Sequence, residues 1–332
     1  MADRYRLCIA EQYTQQETSW VTLQPMMSRL SIALFASLLA LTGCVRYEDG
    51  QAAFAAGDYA GAFEKWQLLA KFGDARAQNE LGWLYQAGRG TNPDLALAMH
   101  WYRKAAEQGL AVAQTNLGIM FNDGTGVTKD PQEAAKWFER AAAQGNAAAL
   151  NNLGVLYDKG SGVPENNRRA VELLTRAAEL GHPRAMSNLG LMYKLGEGVP
   201  QDAVTAIKWF KAAADKKDLE GMNNLAVMLD QGLGTPVNMP EAHRLFEAAA
   251  RSGEPAAAVN LAMMLLRLPT PEPKAPTTAI SSPLVQAYAW LNIAAGLGHS
   301  DAPRHRADLR RRLSPEEISE AERLSVEWAS KT

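Results

Sequence analysis

Five histidines, two cysteines and Gly-x-Gly pairs at five evenly spaced positions are the groups with which this 332-residue chain could do chemistry. His100, His182, His243, His299 and His305 include no pair at the i, i+4 spacing by which one helix face grips zinc. His299 and His305 stand six residues apart, which fits an incidental surface pair. Cys8 and Cys44 are too few for a disulfide framework. The Gly-x-Gly pairs begin at Gly88, Gly124, Gly160, Gly196 and Gly232. A dinucleotide fingerprint has a third glycine and follows a strand. These pairs lack the third glycine and close stretches of helical periodicity, so they read as helix-ending turns. The chain has no Gly-x-Ser-x-Gly elbow and no Walker loop. Its carboxylates fall at helix starts or exposed positions. The residue types point away from an enzyme, and no metal or cofactor is expected.

Recognition has better material. Asn116, Asn152, Asn188, Asn224 and Asn260 recur at one step, with Glu80 in the first slot. A carboxamide offers both donor and acceptor. Such a row could bond the backbone of an extended peptide partner. It could equally satisfy backbone groups in a neighbouring turn, and both readings stay open. Nucleic acid is not an expected partner. Lys and Arg total 34 against 36 Asp and Glu, a formal net charge of −2 without the clustered basic excess such binding needs.

The elements that position this row share its period of 36 residues. Leu81, Leu117, Leu153, Leu189, Leu225 and Leu261 form one column, and Gly82, Gly118, Gly154 and Gly190 the next. The five Gly-x-Gly pairs and Ala98, Ala134, Ala170, Ala206 and Ala242 keep the same step. A fixed period of this length signals a solenoid, whose units bury their apolar faces only on their neighbours. The hydrophobic content of 47% can supply such a core.

One unit, residues 111–146, shows the pattern. Ala113, Leu117, Met120 and Phe121 recur at helical spacing over 111–122. Gly124 ends that helix, as glycine does at low steric cost. Asp130 and Pro131 read as the N-cap and first residue of a second helix, and Asp94, Asn166, Asp202 and Asn238 as the matching caps. Ala134, Trp137, Phe138, Ala141 and Ala142 make its apolar face. Trp101, Trp137 and Trp209 share a column, read as large knobs set among alanines. Gly145 closes this helix, as Gly109, Gly181 and Gly253 close theirs; Lys217 stands in that slot once and predicts a less regular turn.

Leu-Gly-x-x-Tyr/Phe-x-x-Gly-x-Gly-Val, the Asp/Asn cap, Ala-x-x-Trp and the closing Ala-Ala-x-x-Gly together resemble the Sel-1-like repeat family, relatives of tetratricopeptide repeats. The resemblance covers roughly residues 58–268, with a half-unit beyond. It implies an all-α superhelical solenoid of helix hairpins, whose first helices line a concave surface, and an adaptor or scaffold role. One subgroup of the family carries a disulfide in each repeat. This chain has no cysteine after Cys44, so that property does not transfer.

The remaining segments complete the layout. Residues 27–43 read as a signal peptide, a short basic start followed by the apolar run Leu30 to Leu41, too short to span a bilayer. Leu41-Thr42-Gly43-Cys44 resembles the lipobox of bacterial lipoproteins, which implies lipidation of Cys44 and a membrane anchor. Val45 in place of Asp favours the outer membrane by the same resemblance, with the protein facing the periplasm. Residues 1–26 fit neither signal nor fold and read as an upstream extension before a start at Met26 or Met27. Residues 44–57 are expected as a linker and 58–268 as the repeat array. Residues 269–283, with five prolines, read as an extended loop. Residues 284–330 read as a final half-repeat with capping helices, which solenoids require. The expected function is non-catalytic capture of a protein or peptide partner in the bacterial envelope. The alternatives are a surface-exposed lipoprotein engaging host molecules and, last, an envelope hydrolase.

Overall fold

The computed structural model describes residues 45–267 and 282–329. Among the described residues are sixteen α-helices and no strand. Two helices precede the full repeats: α1 (Tyr47–Ala55) and α2 (Tyr59–Lys71). Five hairpin units follow in sequence: α3 (Ala75–Ala87) with α4 (Leu95–Glu107), α5 (Ala111–Asp123) with α6 (Pro131–Ala143), α7 (Ala147–Lys159) with α8 (Asn167–Glu179), α9 (Pro183–Leu195) with α10 (Ala203–Asp215), and α11 (Leu219–Gln231) with α12 (Met239–Arg251). Then come α13 (Pro255–Leu266), α14 (Pro283–Gly296), α15 (Ala302–Arg310) and α16 (Pro315–Ala329).

The chain divides into two compact units, one running to Met120 and including 124–128, the other holding 121–123 and all from Lys129 onward. In the first, α1 packs on α2, α2 on α3 and α3 on α4. In the second, each helix from α6 to α14 packs on the next, and α15 and α16 both pack on α14. There α7, α9, α11 and α13 also touch in series. Contact restricted to neighbours, with first helix on first helix, is the arrangement of an all-α solenoid.

Local chemistry sets the helix ends. Asp94, Asp130, Asn166, Asp202 and Asn238 each accept from the amide three residues on, at 2.9–3.2 Å. These side chains satisfy amides that the first turn leaves orphaned. The first helices are capped as well, by Asp74, Asn146, His182, Asp218 and Glu254; Leu110 alone caps nothing. The second glycine of each pair answers to space as much as to backbone conformation. Gly198 has φ +71°, and a Cβ there would fall on the Asn167 carbonyl and 2.8 Å from the Arg168 nitrogen. The loop of one unit thus rests directly on the start of α8 in the unit before it.

One expected column gains detail and three expectations need correction. In the tryptophan column Trp137 is buried at 7% exposure, while Trp101 and Trp209 are half-buried. The most deeply buried rings stand one residue later, at Tyr102, Phe138, Phe210 and Phe246, with Leu174 in the same register. Tyr102, Leu174 and Phe210 fill the space left by the missing side chains of Gly82, Gly154 and Gly190. A Cβ on Gly190 would come within 2.6 Å of the Phe210 ring. Residues 44–57 are not a linker among the described positions, because α1 occupies most of them. Its Tyr47 is buried and its carbonyl accepts from the Trp66 indole at 3.3 Å. Lys217 does not loosen its turn: it takes φ +63°, and the turn bonds Lys217 N to Ala214 O at 2.8 Å and Asp218 N to Ala213 O at 3.0 Å match the glycine copies. Pro283 belongs to α14 as its first residue rather than to the loop. The rest of the Pro-rich stretch to 281, like the signal segment and Cys44, lies outside the described residues.

Candidate binding face

The asparagine column lies on the first helices, one residue before the buried Leu117, Leu153, Leu189, Leu225 and Leu261, whose exposures are at most 6%. Burying the leucine turns the preceding residue toward the rim of the core, and all five asparagines are half-buried. Three residues further on, and so on the same face, stand Trp83, Ile119, Val155, Leu191, Val227 and Met263, each half-buried. Every first helix therefore presents one carboxamide, or Glu80, beside one apolar side chain.

In three repeats the carboxamide is bonded within the array. Asn116 Nδ2 donates to Asn79 Oδ1 at 3.0 Å, Asn188 Nδ2 to Asn151 Oδ1 at 2.9 Å, and Asn260 Nδ2 to Asn223 Oδ1 at 2.8 Å. The acceptor is a side chain of the preceding repeat, 37 residues back, rather than a backbone group. Sequence reasoning missed this acceptor column. Its signal was present: Asn79, Asn151 and Asn223 alternate with Thr115 and Ser187 at one register position. At the first slot Glu80 Oε1 accepts from Asn79 Nδ2 at 3.3 Å and from the Tyr47 hydroxyl at 3.2 Å. Burial, and then the Glu80 charge, push the Tyr47 hydroxyl well above the ordinary phenol range.

The edge of the face at the helix starts is polar. Arg184 pairs with Glu220 at 3.0 Å, and Ser187 Oγ donates to Asp218 Oδ2 at 2.5 Å. Burial raises the Glu220 carboxyl above its usual range, with Arg184 acting in the opposite sense. His182 Nδ1 accepts from Ala185 N at 3.2 Å, and burial lowers the imidazole below its ordinary value. The other histidines do not converge. His243 lies 3.9 Å from Glu247, and His299 Nδ1 accepts from Asp301 N at 3.2 Å. Among the described residues no three His, Cys, Asp or Glu side chains gather as metal ligands. The arrangement offers hydrogen-bonding and apolar contact at repeated intervals.

The remaining sequence-derived positions are structural. Gly88, Gly124, Gly160, Gly196 and Gly232 all adopt the left-handed C-cap conformation, with φ between +59° and +78°. Trp101 carries Lys104 over its ring at 5.0 Å, and Trp137 carries Arg140 at 4.5 Å.

The family described as Sel1 repeat matches residues 75–110, 111–146, 147–182, 183–218, 219–254 and 284–299. A Sel1 repeat protein from Oxalobacter formigenes is similar in structure at TM-score 0.66 and 31% identity, over 76% of this chain and 97% of that one. A second similar structure is c5321, a protective antigen of uropathogenic Escherichia coli displaying an SLR fold. It matches at TM-score 0.60 and 29% identity, over 85% of this chain and 59% of its own length. The comparison with curated proteins found no match. Five of the six matched stretches coincide with helix hairpins and the sixth with α14, and together they show that the chain belongs to the Sel1 repeat family.

Proposed function

We propose that the chain is a protein–protein interaction scaffold or regulator of the bacterial cell envelope, lipid-anchored through Cys44 to the outer membrane and facing the periplasm. Sel1 repeat proteins are generally non-catalytic scaffolds that bind protein partners. The observation that carries the reading is the first-helix face. Repeats placed in series bring the same carboxamide and apolar positions side by side on α7, α9, α11 and α13. A partner is captured by shape along that face, with one set of side chains per repeat. Of the carboxamide column Asn116, Asn152, Asn188, Asn224 and Asn260, the members not bonded to a neighbouring repeat are the ones open to a partner, without nucleic acid and without a cofactor. The lipobox at Leu41 to Cys44 supports the anchor.

Two experiments test the two halves of the proposal. Cys44→Ala is expected to release the protein from the membrane fraction; retention of the variant would remove the anchor. Crosslinking in cells followed by purification is expected to bring down a defined partner, whereas recovery of monomer alone under many conditions counts against a scaffold. A second reading, display at the cell surface toward a host, draws on the likeness to the E. coli protective antigen. Protease digestion of intact cells separates the two: periplasmic placement protects the chain and surface display exposes it.

A further inference from the structure

The carboxamide column splits by partner. Asn116, Asn188 and Asn260 spend their amide protons on the preceding repeat. The Asn224 side chain makes no hydrogen bond within the described protein. Asn152 accepts one from Asn151 Nδ2 at 3.2 Å and donates none. The cause lies one residue earlier on each first helix. Where that residue is Asn79, Asn151 or Asn223, its Oδ1 serves the next repeat. In the alternate repeats it is a shorter hydroxyl residue with no carboxamide oxygen to extend: Thr115 Oγ1 donates to the Ala111 carbonyl at 2.8 Å, and Ser187 Oγ donates to Asp218 at 2.5 Å. Open carboxamides therefore recur at every second repeat rather than at every repeat.

We infer that Asn152 and Asn224 are the two polar grips for the main chain of one extended peptide segment, while Asn116, Asn188 and Asn260 hold the repeats in register. The inference rests on the scaffold reading above and narrows it to two positions. A carboxamide with open donors matches a peptide unit, which carries one donor and one acceptor. Three residues beyond the grips stand Val155 and Val227, both half-buried, and α9 between them presents Leu191. Because α7, α9 and α11 touch in series, and packed helices lie about 8–10 Å apart, the grips are separated by about 16–20 Å. That distance is spanned by about five or six residues of extended chain at about 3.3 Å each. A helical ligand fits less well, since its interior backbone groups are already bonded. A polyanion fits poorly beside Asp158 and Glu220, which border the same helices.

The test uses the detergent-solubilised full chain and a random twelve-residue peptide library displayed on phage. Peptides enriched on the wild type are synthesised, labelled and titrated by fluorescence anisotropy. Asn152→Ala and Asn224→Ala are each expected to raise Kd about five- to tenfold, the value of one hydrogen bond, and to multiply in the double variant. Asn188→Ala is expected to leave Kd within about twofold while lowering the denaturation midpoint, because it orphans Asn151. The Asn224 side chain has no internal bond, so Asn224→Ala folds even if Asn152→Ala does not. The inference is overturned if enriched peptides bind Asn224→Ala as tightly as the wild type. It is equally overturned if Asn188→Ala weakens binding as much as Asn224→Ala, or if no peptide enriches. None of these results touches the scaffold reading, which stands or falls on recovery of a crosslinked partner.

Discussion

Replacing three glycines of one compact unit by alanine separates two costs that usually travel together. Gly145, Gly196 and Gly198 have φ of +80°, +78° and +71°, so alanine meets a similar backbone penalty at each. That penalty is about 1–2 kcal/mol for an L-residue in the left-handed region. Their surroundings differ. A Cβ on Gly145 meets nothing within 4 Å, and one on Gly196 meets the Gln201 side chain at 3.1 Å. On Gly198 it falls on the Asn167 carbonyl, which is backbone at the start of α8 and cannot rotate away. Relieving that overlap means parting loop from helix, and overpacking of this kind costs about 1–3 kcal/mol more. Gly145→Ala and Gly196→Ala are thus expected to lose about 1–2 kcal/mol, and Gly198→Ala about 2–5 kcal/mol. Urea denaturation followed by circular dichroism measures the three losses, read against midpoint and slope together. Equal losses at Gly145 and Gly198 would refute the claim that the second glycine exists for close approach.

Two further outcomes follow from the turns and caps. Lys217→Gly is expected to stabilise the protein by up to about 1 kcal/mol, since strain relief exceeds the backbone entropy that glycine adds to the unfolded chain; a lowered denaturation midpoint would contradict it. His182 caps α9 only while Nδ1 is unprotonated, and burial holds its folded pKa below the ordinary 6.5. The cap's contribution, at most about 1 kcal/mol, is therefore present above pH 6.5 and lost as pH falls through the folded value. Thermal melts at pH 7.5 and 5.0 check it: wild type should lose stability relative to His182→Asn, whose cap does not titrate, and a constant difference would reject the mechanism.

The period, the hairpins and the caps were legible because each rests on residue type at a fixed spacing. The deep aromatic column was not. Trp209 and Phe210 are adjacent, both apolar, and about 100° apart around one helix. Which of them enters the glycine slot depends on the rotation of that helix in its groove, which no single helix encodes. Trp101 and Trp209 ended at the rim, where the Trp101 ring covers the core and still meets Lys104. Helix α1 escaped notice because its sequence, Tyr-Glu-Asp-Gly-Gln, is polar and holds a glycine. That glycine is needed, since a Cβ on Gly50 would strike the Trp66 indole. The asparagine row was legible as a row, whereas its division needed the third dimension, because each acceptor belongs to a neighbour 37 residues away.

The early start of α1 bears on geometry beyond the fold. Tyr47 is wedged against Trp66 by its carbonyl and its ring, the ring centroids lying 6.0 Å apart. An acylated Cys44 would leave only Val45 and Arg46 as slack, about 7 Å of backbone at full stretch. Such a molecule has no leash. Its first two helices would stay at headgroup height, without the reach across the compartment that a flexible tether gives.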